Sequence, residues 1–221
     1  MRVVEACKVY RNEGQAEPVV ALDGVSLEVE AGELVALVGP SGCGKSTLLN
    51  LIGCIDLPTS GTVYVDGRPT SALDDDALTA LRRERVGTVF QFFNLLPSMT
   101  VAENVALPLV LQRRGRAEIA ERVRTALEAV GIADKAAAYP AQVSGGQLQR
   151  AAIARATVHA PAVVLADEPT GNLDSQNGEI VLRLLQALAA RGQAILLATH
   201  SNEAAAVCRR VLHMQDGRIV S

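Results

Sequence analysis

Leu34-Val35-Ala36-Leu37-Val38-Gly39-Pro40-Ser41-Gly42-Cys43-Gly44-Lys45-Ser46 decides the fold. Leu34 to Val38 is a continuous apolar run, the pattern of a strand buried on both faces. Gly39 to Ser46 then satisfies G-x-x-x-x-G-K-[ST] at every required position. Lys45 to Ile52 reads as a helix. Strand, glycine-rich loop and helix in that order predict a phosphate-binding loop. Glycines let the backbone wrap around phosphate oxygens with its N–H groups turned inward. The helix N-terminus adds partial positive charge. Lys45 is expected to reach the β- and γ-phosphates, and the Ser46 hydroxyl to offer a ligand to Mg²⁺. Lysine at this point is selective, because the chain has three lysines against eighteen arginines. Cys43 reads as a small residue in a tolerant slot, with a redox role as the alternative.

A second apolar run, Val163 to Ala166, ends in Asp167 and Glu168. The tip of a neighbouring parallel strand is where a metal-holding acid is needed. Asp167 is expected to hold Mg²⁺, and Glu168 to face the water that attacks the γ-phosphate. A third run, Ala194 to Thr199, is followed by His200, expected to contact the γ-phosphate and keep Glu168 and the water in line.

The rest of the chain arranges itself about these runs. Residues 2–10, 19–22, 25–30 and 62–65 read as strands, with a polar turn over Asn12–Pro18 and an Asp66-Gly67 turn. Asp74 to Arg85 reads as a helix and Val86 to Phe90 as a short strand. Thr100-x-x-Glu103 is a capping box. Glu118 to Val130 has one apolar face and stops at Gly131. Ser144 opens a helix to about His159. Ser175 to Arg191 is a helix stopped by Gly192, and residues 211–220 form a hairpin. The fold class expected is α/β: a P-loop NTPase core with a mainly parallel sheet, an antiparallel β flank and an inserted helical subdomain. The core comprises 1–91 and 160–221, and the helical part 92–159.

Composition narrows the function. A 49% hydrophobic chain of 221 residues with net charge −3 is not disordered and carries no general attraction for nucleic acid. The longest uncharged stretch, Val86 to Ala102, is interrupted by polar residues and Pro97, so no membrane span is expected. Cys7, Cys43, Cys54 and Cys208 show no metal spacing and read as free thiols. All three phenylalanines cluster at Phe90, Phe92 and Phe93. Phe90 suits the strand core; for Phe92 and Phe93, core filling and a partner-facing groove both stand. The arginine groups at 82–85, 113–116 and 209–210 read as solvated faces, because acids are interspersed, with a role near lipid headgroups as the alternative.

These residues resemble the ATP-binding-cassette transporter ATPases over nearly the whole chain. Val143-Ser144-Gly145-Gly146-Gln147 is similar to the family's signature motif, with Val for the usual Leu. Gln91 falls at its Q-loop, Gly171-Asn172-Leu173-Asp174 at its D-loop, His200 at its switch histidine and Tyr10 at its adenine-stacking aromatic. The resemblance implies an ATPase using ATP and Mg²⁺. Gly39, Pro40, Ser41, Gly42, Cys43, Gly44, Lys45, Ser46 and Thr47 would hold the nucleotide with Tyr10, and Ser46, Gln91 and Asp167 the metal. Glu168, His200, Gln91 and Lys45 would serve catalysis. Ser144, Gly145, Gly146 and Gln147 would face ATP held by a second copy of the chain, with Asp174 coupling the two sites. Ser144-x-x-Gln147 is itself a capping box, and the two glycines are expected to leave N–H groups open to an anion.

The resemblance further implies separate integral-membrane permease subunits, a place at the inner face of the cell membrane, and no nucleic-acid partner. The runs at 52–61, 90–109 and 167–175 look like the branch serving macrolide export, lipoprotein release and cell division. An amino-acid uptake ATPase is the alternative. A metabolite kinase would lack the signature helix, and a chromosome ATPase would need long coiled arms.

Overall fold

The computed structural model describes residues 1–11 and 17–221, so most of the turn read at Asn12–Pro18 lies outside the described residues. The strands are β1 (Arg2–Tyr10), β2 (Val19–Glu28), β3 (Leu34–Val38), β4 (Ser60–Val65), β5 (Arg68–Pro69), β6 (Val86–Val89), β7 (Val163–Asp167), β8 (Ala194–Thr199), β9 (Arg210–Gln215) and β10 (Arg218–Ile219). The helices are α1 (Lys45–Ile52), α2 (Asp75–Arg85), α3 (Val101–Leu111), α4 (Arg116–Ala129), α5 (Gly145–Thr157), α6 (Ser175–Ala190) and α7 (Asn202–Ala206).

Two sheets form. One is antiparallel, in the order β2-β1-β4-β5. The other runs β10-β9-β3-β8-β7-β6 and is parallel except at β10. The uninterrupted apolar runs are central strands here, and alternate side chains enter different cores. In β7, Val163 and Leu165 pack with the antiparallel sheet and α1, against Leu48, Leu51 and Val63. Val164 and Ala166 pack on the other face with the helices, against Val105, Ile153 and Leu185. Each such leucine or valine taken from water stabilises the fold by roughly 1.5–3 kcal/mol.

Three readings of the sequence are corrected. Residues 19–30 are not two strands. β2 runs through Asp23 and Gly24, where Gly24 takes φ 68° and the pairing with β1 changes register. The turn residues there make an irregularity within one strand instead of ending it. The strand expected to reach Phe90 ends at Val89, and Phe90 is only partly buried. The helix expected to reach His159 ends at Thr157, with Ala160 at φ 53° and the His159 ring turned back onto the Val86 carbonyl. The C-terminal hairpin forms as read, and its first strand joins the large sheet, since β9 pairs in parallel with β3. Helix α7, capped by Ser201, was not read from the sequence at all.

Candidate functional site

β3 delivers the chain into the loop Gly39–Gly44, and α1 leaves it. Gly44 stands at the helix N-cap with φ 110° and gives α1 no side-chain cap. The loop is pressed from behind. A Cβ on Gly39 would lie 2.2 Å from the Met214 carbonyl oxygen, and one on Gly44 2.6 Å from the Ala21 carbonyl oxygen. The Gly217 N–H donates to the Cys43 carbonyl (3.0 Å), so the β9–β10 turn braces the loop. The Cys43 side chain is buried, in keeping with a small packed residue. Lys45 Nζ donates to the carbonyls of Gly39 (2.7 Å) and Pro40 (3.1 Å), which fixes the ammonium at the loop mouth. Ser41 and Ser46 are exposed.

The parallel sheet brings the acids to this loop. Ser46 Oγ lies 3.5 Å from Asp167 Oδ2, across the ends of β3 and β7. Burial, then the neighbouring Glu168 charge, raises the Asp167 pKa; the Ser46 hydroxyl and Lys45 act the other way. A carboxylate so placed is relieved by a cation. Two hard oxygen donors suit an ion that keeps water and phosphate oxygens as its other ligands. Among the described residues no cluster of three or more His, Cys, Asp or Glu offers a closed cage.

Glu168 is held on three sides. Its backbone has φ 47°, and its N–H donates to the Ala198 carbonyl (2.9 Å). His200 Nδ1 lies 2.7 Å from Oε1, and the Thr199 hydroxyl donates to Oε2 (3.2 Å). The carboxylate is largely covered and the imidazole largely exposed. A left-handed φ on a glutamate is costly and is maintained by these bonds.

The remaining candidates sit around this centre. The Tyr10 hydroxyl donates to Asp56 Oδ2 (3.0 Å), and its ring carries Lys8 Nζ at 5.0 Å. Burial, then Asp56, raises the Tyr10 pKa. The Gln91 amide lies against the 171–172 turn, Nε2 being 3.4 Å from Asn172 Oδ1, while Asn172 Nδ2 donates to the Gln91 carbonyl (3.0 Å). Among the described residues no hydrogen bond joins Gln91 to Ser46 or Asp167.

Ser144 and Gln147 form the capping box expected, with the Gln147 N–H donating to Ser144 Oγ (3.3 Å). Their glycines differ. Gly145 has room around it, but Gly146 is buried, and a Cβ there would meet Asn177 Oδ1 at 2.0 Å. Gly146 thus lets α6 approach α5. Asn177 in turn holds Asp174, donating from its N–H (2.8 Å) and from Nδ2 (2.7 Å). Those bonds lower the Asp174 pKa.

A family model described as ABC transporter matches residues 22–171. The chain belongs to the ABC transporter family. It is an ATP-binding cassette, an ATPase domain of the α/β type expected. It is similar to "Macrolide export ATP-binding/permease protein MacB" of Burkholderia pseudomallei, 50% identical over 202 residues that cover 91% of this chain and 31% of that protein. The protein of the same name from Salmonella typhimurium is 47% identical over 219 residues, covering 99% of this chain and 34% of the relative. The chain thus spans about a third of the length of these relatives. Among solved structures, it resembles the ATP-binding cassette MJ0796 in a dimeric post-hydrolysis state bound to ADP and Pi. That match has TM-score 0.89 and 42% identity, and covers 100% of this chain and 96% of the other. A second dimeric structure of MJ0796 matches with TM-score 0.87 and 43% identity.

Thr199 and Asn177 are among the polar residues that the sequence does not mark. Thr199 looks like a strand terminus, and Asn177 like any polar helix residue. Only the signal that His200 follows an apolar run could have drawn attention to Thr199; nothing local marked Asn177.

Proposed function

We propose that the chain is the ATP-hydrolysing subunit of an export machine whose membrane-crossing part lies outside the described residues. The convergence of Ser46 at the start of α1 with Asp167, Glu168, Thr199 and His200 at the ends of the adjacent parallel strands β7 and β8 carries this reading. The loop 39–47 cradles the triphosphate and Tyr10 offers its ring to the adenine. Ser46 and Asp167, with Gln91 from its loop, would hold Mg²⁺, which would neutralise charge on the phosphates when bound. Glu168 accepts a proton from the attacking water, its two oxygens kept in orientation by His200 and Thr199. Lys45 stabilises charge developing on the γ-phosphate. His200, exposed beside Glu168, is free to reach that phosphate.

The MJ0796 structures are dimers, which supports two copies of this chain closing on ATP. Ser144, Gly145 and Gln147 would then meet the nucleotide of the other copy, and Asp174 would lie at the junction. Gly146 would serve the same turn from behind. Hydrolysis removes contacts shared by both chains and reopens the pair, a ligand-driven two-state switch. We assign 1–91 and 160–221 to the nucleotide core and 92–159 to a helical subdomain that meets the permease.

The permease-facing surface is proposed at Phe92, 73% exposed, with Leu96 and Leu111 also open. An adjoining cavity of about 450 Å³ is lined by Thr88, Leu107, Pro108 and Leu111. Exposure of Phe92 favours the groove over core filling. Among the described residues no helix is long and apolar enough to cross a membrane, so attachment at the inner face would come through the permease. The macrolide-export names of the relatives favour export over uptake.

The test is chromatography of Glu168→Gln with and without ATP and Mg²⁺. A dimer that forms only with nucleotide is expected. A variant that stays monomeric while binding ATP would overturn the proposal.

A further inference from the structure

Gln149 lies on α5 about one and a half turns beyond Ser144 and is completely buried. Its Nε2 donates to the Pro169 carbonyl (2.7 Å) and lies 3.4 Å from the Phe90 carbonyl. Phe90 immediately precedes Gln91, and Pro169 immediately follows Glu168. One amide therefore joins the backbones of the two loops that carry these side chains. Two carbonyl partners fix the amide's orientation, because only its NH₂ end can donate. The opposite end, Oε1, is buried with no hydrogen-bond partner among the described residues. A methionine would fill this space without an unmet acceptor. What it could not supply is the pair of donors.

The same helix grips the loop a second time. Arg155 Nη2 donates to the Phe93 carbonyl (2.8 Å) and Nη1 to the Asn94 carbonyl. Phe93 and Asn94 both have positive φ, 61° and 49°, a conformation asparagine tolerates but one that is strained for a bulky aromatic residue. The Gln91 loop is thus pinned on both sides of Gln91 by side chains of α5. The other loop is tied to it by the Gln91–Asn172 bonds.

We propose that Gln149 is a positioning residue for ATP hydrolysis: its amide sets the spacing between the Gln91 and Glu168 loops and ties both to the helix that begins at Ser144. This rests on the roles proposed for Gln91 and Glu168.

The experiment uses the full chain with a fluorescent ATP analogue for binding and phosphate release for turnover. Gln149→Met is expected to bind the analogue as the parent does, within about threefold, while kcat falls roughly 10–100-fold with KM little changed. A parental kcat would overturn the proposal. Gln149→Glu supplies an independent readout should the methionine variant not fold. Burial raises a carboxyl's pKa, and only the protonated form can donate to Pro169. Its turnover relative to the parent should therefore rise as pH is lowered from about 8 to about 6; a flat ratio would overturn the proposal. Turnover of the unaltered chain in the same assay tests the functional reading separately.

Discussion

Glu168 shows how much of a site depends on single side chains. Its identity at a strand end makes it the proposed base, but its placement comes from His200 Nδ1 and the Thr199 hydroxyl. Glu168→Gln keeps the shape and removes the proton acceptor. Phosphate release should fall by roughly 10²–10⁴-fold with ATP binding retained, and undiminished release would remove Glu168 from that role. Thr199→Val is nearly isosteric and deletes one of the two groups orienting the carboxylate. A drop in kcat of about tenfold with KM nearly constant is expected; equal kcat would mean His200 alone orients the base.

The helix ends follow the same logic on a larger unit. Capping boxes at Thr100 and Ser144 close the first turns of α3 and α5, and both were legible from four-residue patterns. Asn104 was not. It is fully buried, its Nδ2 lies 3.0 Å from the Thr100 carbonyl and 3.1 Å from those of Leu96 and Met99, to be shared by its two N–H groups, and its Oδ1 accepts from the Leu96 N–H. It clasps the loop that enters α3, a role set by where that loop folds back. Contact between α5 and α6 is equally specific. Gly146→Ala would drive a methyl into Asn177 and should destabilise by about 1–3 kcal/mol, read from denaturant unfolding. Adding Asn177→Ala should restore part of that loss. If Gly146→Ala alone unfolds like the parent, the close approach of the two helices is not limiting.

Across the whole molecule, function and stability pull apart at Asp167 and pH acts through His159. Burial and Glu168 raise the Asp167 pKa above its ordinary 3.8. The folded state therefore loses stability as pH rises through that raised value, and the loss is fully present at neutrality. Asp167→Asn should melt at a higher temperature than the parent near pH 7, with the difference vanishing below about pH 4. Melting curves at the two pH values check this, and a lower melting temperature near pH 7 would refute it. Burial lowers the pKa of His159 below its ordinary 6.5, opposed by the Val86 bond. The unfolded chain takes the proton first, so stability should fall as pH drops below about 6.5 and level off beneath the lowered value. His159→Gln should flatten that slope.

The apolar runs at 34–38, 163–166 and 194–199, the loop at 39–46 and the acids at 167–168 needed no third dimension. Periodicity, glycine spacing and charge at a strand end are local properties, and they fixed the α/β class and the phosphate loop. Helix boundaries came close for the same reason, since caps and stops act within one turn. Other features required the chain to be brought together: β9 laid beside β3, Met214 and Ala21 pressing on Gly39 and Gly44, Asn177 against Gly146, and Gln149 spanning two loops. Each depends on contacts between segments far apart in sequence, whose partners no local pattern names. A buried polar group is specified by the fold that surrounds it, because its hydrogen bonds exist only once that fold has closed.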